Sequence, residues 1–314
     1  MATIHANDTC DAACKQVLSE KQILSHILHD YVDEFSKTSP QEIAQRCFEG
    51  DPRVGTDPVG HSDSVRALSN EDAAPLEGGV SFDVRFEAYT PDSLDLADKD
   101  LVCVEVDVEA QNNFYPGYPL LKRGVFYAGR LLSLQGGDVV THSHYELVRK
   151  AVSVWICAHP PKKYAGTVTS FSLQPSQLIG NEEFNPDHFD LVQVILVCLN
   201  DRDPGSSKGT LGMLEVLFAA HIDARQKIRM LKEGYGIMMS DGFSKKVSDM
   251  CNLSVGYYEE GVREGREQGL KQGREGERAA FLQVAATMVR DGVLALGEAA
   301  RRFGFSEDEL RAAL

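Results

Sequence analysis

No run of this 314-residue sequence stays apolar for long. The longest, VILVCL at Val194 to Leu199, falls far short of the roughly 20 residues that a membrane-spanning helix needs. The first residues, MATIHANDTC, lack the charged and apolar regions of a secretory signal, so a cytoplasmic protein without a membrane anchor is expected. A disulfide framework is missing too. The seven cysteines, Cys10, Cys14, Cys47, Cys103, Cys157, Cys198 and Cys251, are odd in number and irregular in spacing, which implies free thiols in a reducing compartment. Positive charge is scarce: 32 Lys and Arg against 47 Asp and Glu leave a net charge of −15, which argues against a broad duplex-binding surface. The sequence has no G-x-x-x-x-G-K-[ST] to cradle a triphosphate, no G-x-S-x-G to present a serine and no Cys-x-x-Cys to bind zinc.

What is present starts with enough apolar residues, 43%, for a sizeable core. The informative stretch is LVCVEVDVEAQ at Leu101 to Gln111, where Val102, Val104, Val106 and Val108 alternate with Cys103, Glu105, Asp107, Glu109 and Gln111. A period of two means a strand with one apolar and one polar face. SFDVRF at Ser81 to Phe86 repeats the pattern, with Phe82, Val84 and Phe86 expected toward the core and Asp83, Arg85 and Glu87 opposite. The turn residues Pro91, Asp92, Ser93 and Asp95 lie between them, so an antiparallel hairpin is expected, with Asp83 facing Glu109. Carboxylates in a row repel unless a cation sits among them, and two from neighbouring strands can share one hard divalent ion. A strand rise of about 3.3 Å per residue places Glu105 roughly 13 Å from Glu109, leaving Asp107 as the further acid within reach.

Asp83 followed by Glu109-Ala110-Gln111, then the helix-like YPGYPLLKRGVFYAGRLLSLQ at Tyr115 to Gln135, resembles the PD-(D/E)XK nuclease superfamily. Within it the chain is similar to the PD-(D/E)XK nuclease family transposases, relatives of recombination-promoting nucleases. The likeness covers about residues 20 to 200. It implies a restriction-endonuclease-like α/β core, a mixed central sheet flanked by helices, and Mg²⁺-dependent hydrolysis of DNA phosphodiesters, with Mn²⁺ as an alternative ion. Asp83 and Glu109 would hold the metal, and Asp83, Glu109 and Gln111 would form the catalytic set. An acid from an upstream helix often joins such sites, which leaves Glu34, Glu42 and Glu71 as candidates. The chain departs from the pattern at two places: Gln111 stands where the family usually has Lys, and Phe82 where it has Pro. An amide orients water but brings no charge. The other function class is an inactive nuclease fold kept as an interaction scaffold.

The remaining segments fit that plan. Gln16 to Phe35 has helical apolar spacing, and Ser39 caps a short helix over Pro40 to Glu49. Residues 53–79 read as irregular connection with a short strand near Val59. In the Tyr115 to Gln135 helix, Leu120, Leu121, Val125, Phe126, Leu131 and Leu132 form the expected apolar stripe. Lys122, Arg123, Tyr127 and Arg130 supply a basic face that either contacts a nucleic-acid backbone or is solvated. His142 and His144 make an H-x-H too small for a closed metal site. Val152 to Ala158, Thr167 to Leu173 and Leu191 to Leu199 read as strands. The expected division is N-terminal helices over 1–50, the nuclease-like core over 51–210, a helical extension over 211–258 interrupted at Gly234 and Gly236, a glycine-punctuated segment over 259–278 and a small helical unit over 279–314. Gly261, Gly265, Gly269 and Gly273 recur every four residues, the spacing of a close helix contact in a homo-oligomer or of a flexible charged linker.

Overall fold

The computed structural model describes residues 11–54, 71–72, 80–94, 102–135, 143–200 and 202–314. The strand expected near Val59, and His142, lie outside them. The chain divides into two compact units, Met1–Val255 and Gly256–Leu314.

The larger unit opens with helix α1 (residues 11–18), α2 (Lys21–Tyr31) and α3 (Pro40–Arg46). The single helix expected over Gln16 to Phe35 is thus broken. Glu20 takes an extended conformation, and the Ser19 hydroxyl donates to the Gln16 carbonyl in the last turn of α1. Ser39 caps α3 by accepting from the Glu42 amide, as its box implied. The strands follow as β1 (Arg53–Val54), β2 (Glu71–Asp72), β3 (Val80–Ser81), β4 (Val84–Tyr89), β5 (Cys103–Asn113), β6 (Lys150–His159), β7 (Thr167–Ser172) and β8 (Val192–Cys198). Helix α4 (Leu120–Leu134) joins β5 to β6, and α5 (Gly209–Phe218) and α6 (Ala224–Tyr235) come after β8.

Six strands make one mixed sheet in the order β1-β4-β5-β6-β8-β7, and β2 pairs with β3 separately. β4 and β5 are the expected antiparallel hairpin. β6 lies parallel to β5, with α4 in the connection between them, and β8 lies parallel to β6. A parallel pair needs such a long crossover, and the helix in it covers a sheet face. The chain is therefore α/β with a mixed sheet flanked by helices.

The two faces of the sheet differ. On one, Val84, Phe86, Val104, Val106, Val108, Val154 and Val197 pack with Ile23, Leu24 and Ile27 of α2 and Met213 and Leu217 of α5. On the other, α4 lays Leu120, Tyr127, Ala128 and Leu131 over Phe82, Trp155 and Val194. Two expectations are corrected here. Phe82 does not share a face with Val84 and Phe86: the chain bends at Asp83, before β4 begins, and turns the Phe82 ring to the α4 side, 5.4 Å from that of Tyr127. Val125 and Phe126 do not belong to the buried stripe, being 52% and 54% exposed. The helix is turned so that Gly124 meets the sheet. A Cβ there would lie 2.8 Å from Val194 and 3.0 Å from the Trp155 indole nitrogen, so the missing side chain allows the close approach. That rotation carries Arg123 and Tyr127 inward.

The helical run after Leu211 breaks between Phe218 and Ala224, where Asp223 caps α6 through the Arg225 and Gln226 amides. Gly236 then ends α6 in the left-handed conformation. Helix α7 (Asp241–Arg290) includes the glycine-punctuated segment, which is helical. In the smaller unit, α8 (Leu296–Phe303) and α9 (Glu307–Ala313) gather Ala299, Ala300 and Leu310 with Ala285 and Ala286 around Phe305, and Ser306 and Glu309 form a capping box.

Candidate active site

The β4 and β5 register, Val84 against Val108 and Arg85 against Asp107, brings Asp83 level with Glu109. Backbone amides of the facing strands hold both carboxylates in place. The Asp83 amide donates to Glu109 Oε1 at 2.8 Å, and the Ala110 amide donates to Asp83 Oδ2 at 3.0 Å. Strand alternation puts Asp107 on the same face, under α4 and 0% exposed, while Glu109 is 3% exposed. Asp107 Oδ2 accepts from the Ser153 hydroxyl at 2.9 Å, and that hydroxyl accepts from the Trp155 indole N–H at 2.8 Å. Asp107 Oδ1 is buried without an amide or hydroxyl donor. The carboxyl within hydrogen-bonding reach of Asp107 is that of Glu109, and a bond between two carboxyls requires a proton on one of them.

Burial dominates the titration of this cluster. It pushes Asp107 up to about 7, against the opposing effect of its hydrogen bonds. Glu109 is raised well above the ordinary range, first by burial and then by the charges of Asp107 and Asp83. Asp83 is raised by burial although Lys15 pulls the other way. An acidic row that must retain a proton to remain buried is also one in which a divalent cation can replace that proton.

Cationic side chains border the row. Lys15, from α1, sits 2.9 Å from Asp83 Oδ1 and 2.6 Å from Asp11. Burial alone would lower its ammonium, but Asp11 and Asp83 outweigh burial and raise it. Arg123 places one guanidinium nitrogen 3.9 Å from Glu109 Oε2 and donates at 2.7 Å to each of the Tyr127 and Tyr118 hydroxyls, its Cζ 5.1 Å from the centre of the Trp155 ring. Farther along the strand, Glu105 is held by buried Arg85 at 3.1 Å. This pair takes Glu105 out of the site, in agreement with the strand rise.

The other expected residues fall as follows. Gln111, half-buried, lies two residues past Glu109 on the same strand. Lys122 is exposed, Arg130 is partly buried, and Tyr127 is 6% exposed, so Tyr127 packs beneath the helix and does not line an open basic face. Glu34 does not join the site. It binds Lys150 at 2.8 Å, opposite Val104 on the sheet, five residues and about 16 Å from Trp155, which stands opposite Glu109. Glu42 pairs with Arg46 at 2.9 Å on the exposed side of α3, and the side chain of Glu71 lies outside the described residues. His144 bonds Glu146 at 2.6 Å. Three contributors escape sequence reasoning: Lys15, Ser153 and Trp155. Ser153 and Trp155 carry a signal, a hydroxyl and an indole interrupting an otherwise aliphatic strand. Lys15 carries none, because its partner is 68 residues away in sequence.

A second group of ligand-type atoms, from Glu49, Glu87 and Cys103, lies within 4.8 Å of one another. Arg149 already neutralises Glu87 at 2.7 Å. No family model, no curated protein and no solved structure matches the chain.

Proposed function

We propose that this protein is a metal-dependent endonuclease that hydrolyses phosphodiester bonds in DNA. One observation carries the reading: across the hairpin the Asp83 amide donates to Glu109 and the Ala110 amide donates to Asp83, beside a buried Asp107 with an oxygen that has no amide or hydroxyl donor. The donors are all hard carboxylate oxygens, which suits Mg²⁺, or Mn²⁺ in its place. Asp83 and Glu109 would hold the ion and Asp107 would add charge behind them. The ion's part, when bound, is to polarise the phosphate and lower the pKa of an attacking water.

The chain's own residues do the rest. Arg123, fixed by two tyrosine hydroxyls and flanking Glu109, offsets negative charge on the phosphate. Gln111 orients water through its amide, and Lys15 supplies next to Asp83 a positive charge that Gln111 does not. The run of antiparallel hairpin, crossover helix and parallel strand supports the restriction-endonuclease-like resemblance.

Calorimetric titration of Mg²⁺ into the wild type and Glu109→Ala, with DNA cleavage measured alongside, tests the reading. Saturable binding and cleavage in the wild type, both lost in the variant, are expected. A wild type that neither binds Mg²⁺ nor cleaves would leave the rival reading, a nuclease-like fold used for assembly, which the burial of Glu109 and the Lys15 contact favour.

A further inference from the structure

Aromatic and basic side chains gather beyond the ends of β5 and β6, next to the carboxylate row. Asn113 and His159 close the pairing of these two strands. The residues that follow them meet across the gap: the Phe114 and Tyr164 rings stack at 5.0 Å with 17° between planes, and Tyr115 abuts Phe114 edge-on at 4.9 Å. Lys163 sits 4.6 Å over the Tyr164 ring. Tyr115 and Tyr118 are 62% and 44% exposed and show ring surface to solvent, while Tyr164, 37% exposed, is stacked on Phe114 and carries Lys163 over its ring. The rim also connects to the acids. Tyr118 accepts from Arg123, and the same guanidinium lies 3.9 Å from Glu109.

Charge sets this region apart. In a chain of net charge −15, residues 112–135 and 159–166 hold Lys122, Arg123, Arg130, Lys162 and Lys163 and no Asp or Glu. These two segments, with no carboxylates of their own and with lysines and exposed rings, attract a polyanion that also has flat faces to stack. Double-stranded DNA hides its base faces within the stack, whereas an unpaired strand offers them.

We propose that the rim formed by Phe114, Tyr115, Tyr118, Lys163 and Tyr164 holds a single unpaired DNA strand and feeds it to the carboxylate site. This rests on the DNA-hydrolysis reading for the identity of the polymer. Bases stack on Tyr115 and on the Tyr164 face that Lys163 uncovers as it turns to a phosphate, while Lys162 contacts a neighbouring phosphate. Stacking tolerates any base, so the rim binds without regard to sequence.

The test is fluorescence anisotropy of a labelled oligothymidylate of about twelve nucleotides, a length that a single binding module spans, against a duplex and an RNA of equal length, all in EDTA so that nothing is cleaved. The unpaired DNA should bind more tightly than either. Tyr164→Ala and Tyr115→Ala should each weaken binding by about 5- to 150-fold, the range for losing one stacked base. Tyr164→Phe and Tyr115→Phe should bind as the wild type does, which separates stacking from the hydroxyls. The double change Lys162→Gln and Lys163→Gln should flatten the log–log salt dependence by about 1.4, at about 0.7 for each phosphate of a single strand that is no longer neutralised. Unchanged melting curves for these exposed positions exclude unfolding as the cause. Equal binding of duplex, preference for RNA, or alanine variants that bind like the wild type would overturn the proposal. Duplex-specific binding together with Mg²⁺-dependent cleavage would overturn it and leave the nuclease reading intact, whereas strand binding at these tyrosines without cleavage would do the reverse.

Discussion

Replacing Asp107 by Asn should make the metal-free protein more stable at neutral pH while weakening its response to Mg²⁺. Asp107 is fully buried and its pKa is pushed from 3.8 to about 7, so the folded chain keeps a proton that the unfolded chain releases near pH 4. A fold that binds more protons than the unfolded chain loses stability as pH rises, here between pH 3.8 and about 7. At 1.36 kcal/mol per tenfold change in proton affinity, the rise from 3.8 to about 7 costs the wild type about 4 kcal/mol at pH 8 and about 0.6 kcal/mol at pH 4. An Asn of the same shape keeps an acceptor for Ser153 and offers Glu109 an N–H without any titration. Urea unfolding in EDTA at several pH values from 4.5 to 8 reads the difference between variant and wild type directly. That difference should be about 1 kcal/mol at pH 4.5 and grow toward about 4 kcal/mol at pH 8. Added Mg²⁺ should stabilise the wild type more at pH 8 than at pH 5, and should stabilise the variant less than the wild type, because Asp83 and Glu109 remain but the charge behind them is gone. A difference that does not change with pH, or an Asn variant that is less stable at pH 8, would refute the shared-proton account of this cluster.

Other perturbations probe its surroundings. Arg85→Met leaves Glu105 charged, buried and unpaired, and should cost about 3 to 5 kcal/mol in urea unfolding at pH 7; a smaller loss in acid, where Glu105 can take up a proton, is expected. Gly124→Ala forces a methyl against Val194 and Trp155 and should destabilise by about 1 to 3 kcal/mol, unlike Gly129→Ala on the open side of α4, which should be neutral or slightly stabilising. Lys15→Met removes a competing positive charge from Asp83, so Mg²⁺ affinity by calorimetry should rise on the order of tenfold, the Coulomb effect of a unit charge on a divalent ion about 5 Å away in a water-like dielectric. Weaker binding in that variant would instead mean that Lys15 organises the site.

Alternation and turn chemistry make much of this protein legible from its residues alone. Val104, Val106 and Val108 against Glu105, Asp107 and Glu109 determine a strand with an apolar and an acidic face, and the turn after Tyr89 determines its antiparallel partner, because the side-chain period of a strand is two and one buried face sets the register. The pairing of Asp83 with Glu109 follows from that register. What the sequence could not determine is how much water the acidic face sees. The pattern that usually means solvent exposure here lies under α4, and only packing decides which side of an amphipathic strand is covered. Packing also turned α4 about its axis, since Gly124 allows a closer approach than the side chains of Val125 and Phe126, and so aimed Arg123 at Glu109. Lys15 and Ser153 reach the carboxylates from α1 and β6, and contacts between residues so far apart in sequence are set by the fold alone. Local periodicity dictates strands, turns and register, while burial, and with it the charge state of every acid in the row, belongs to the assembled sheet and helix.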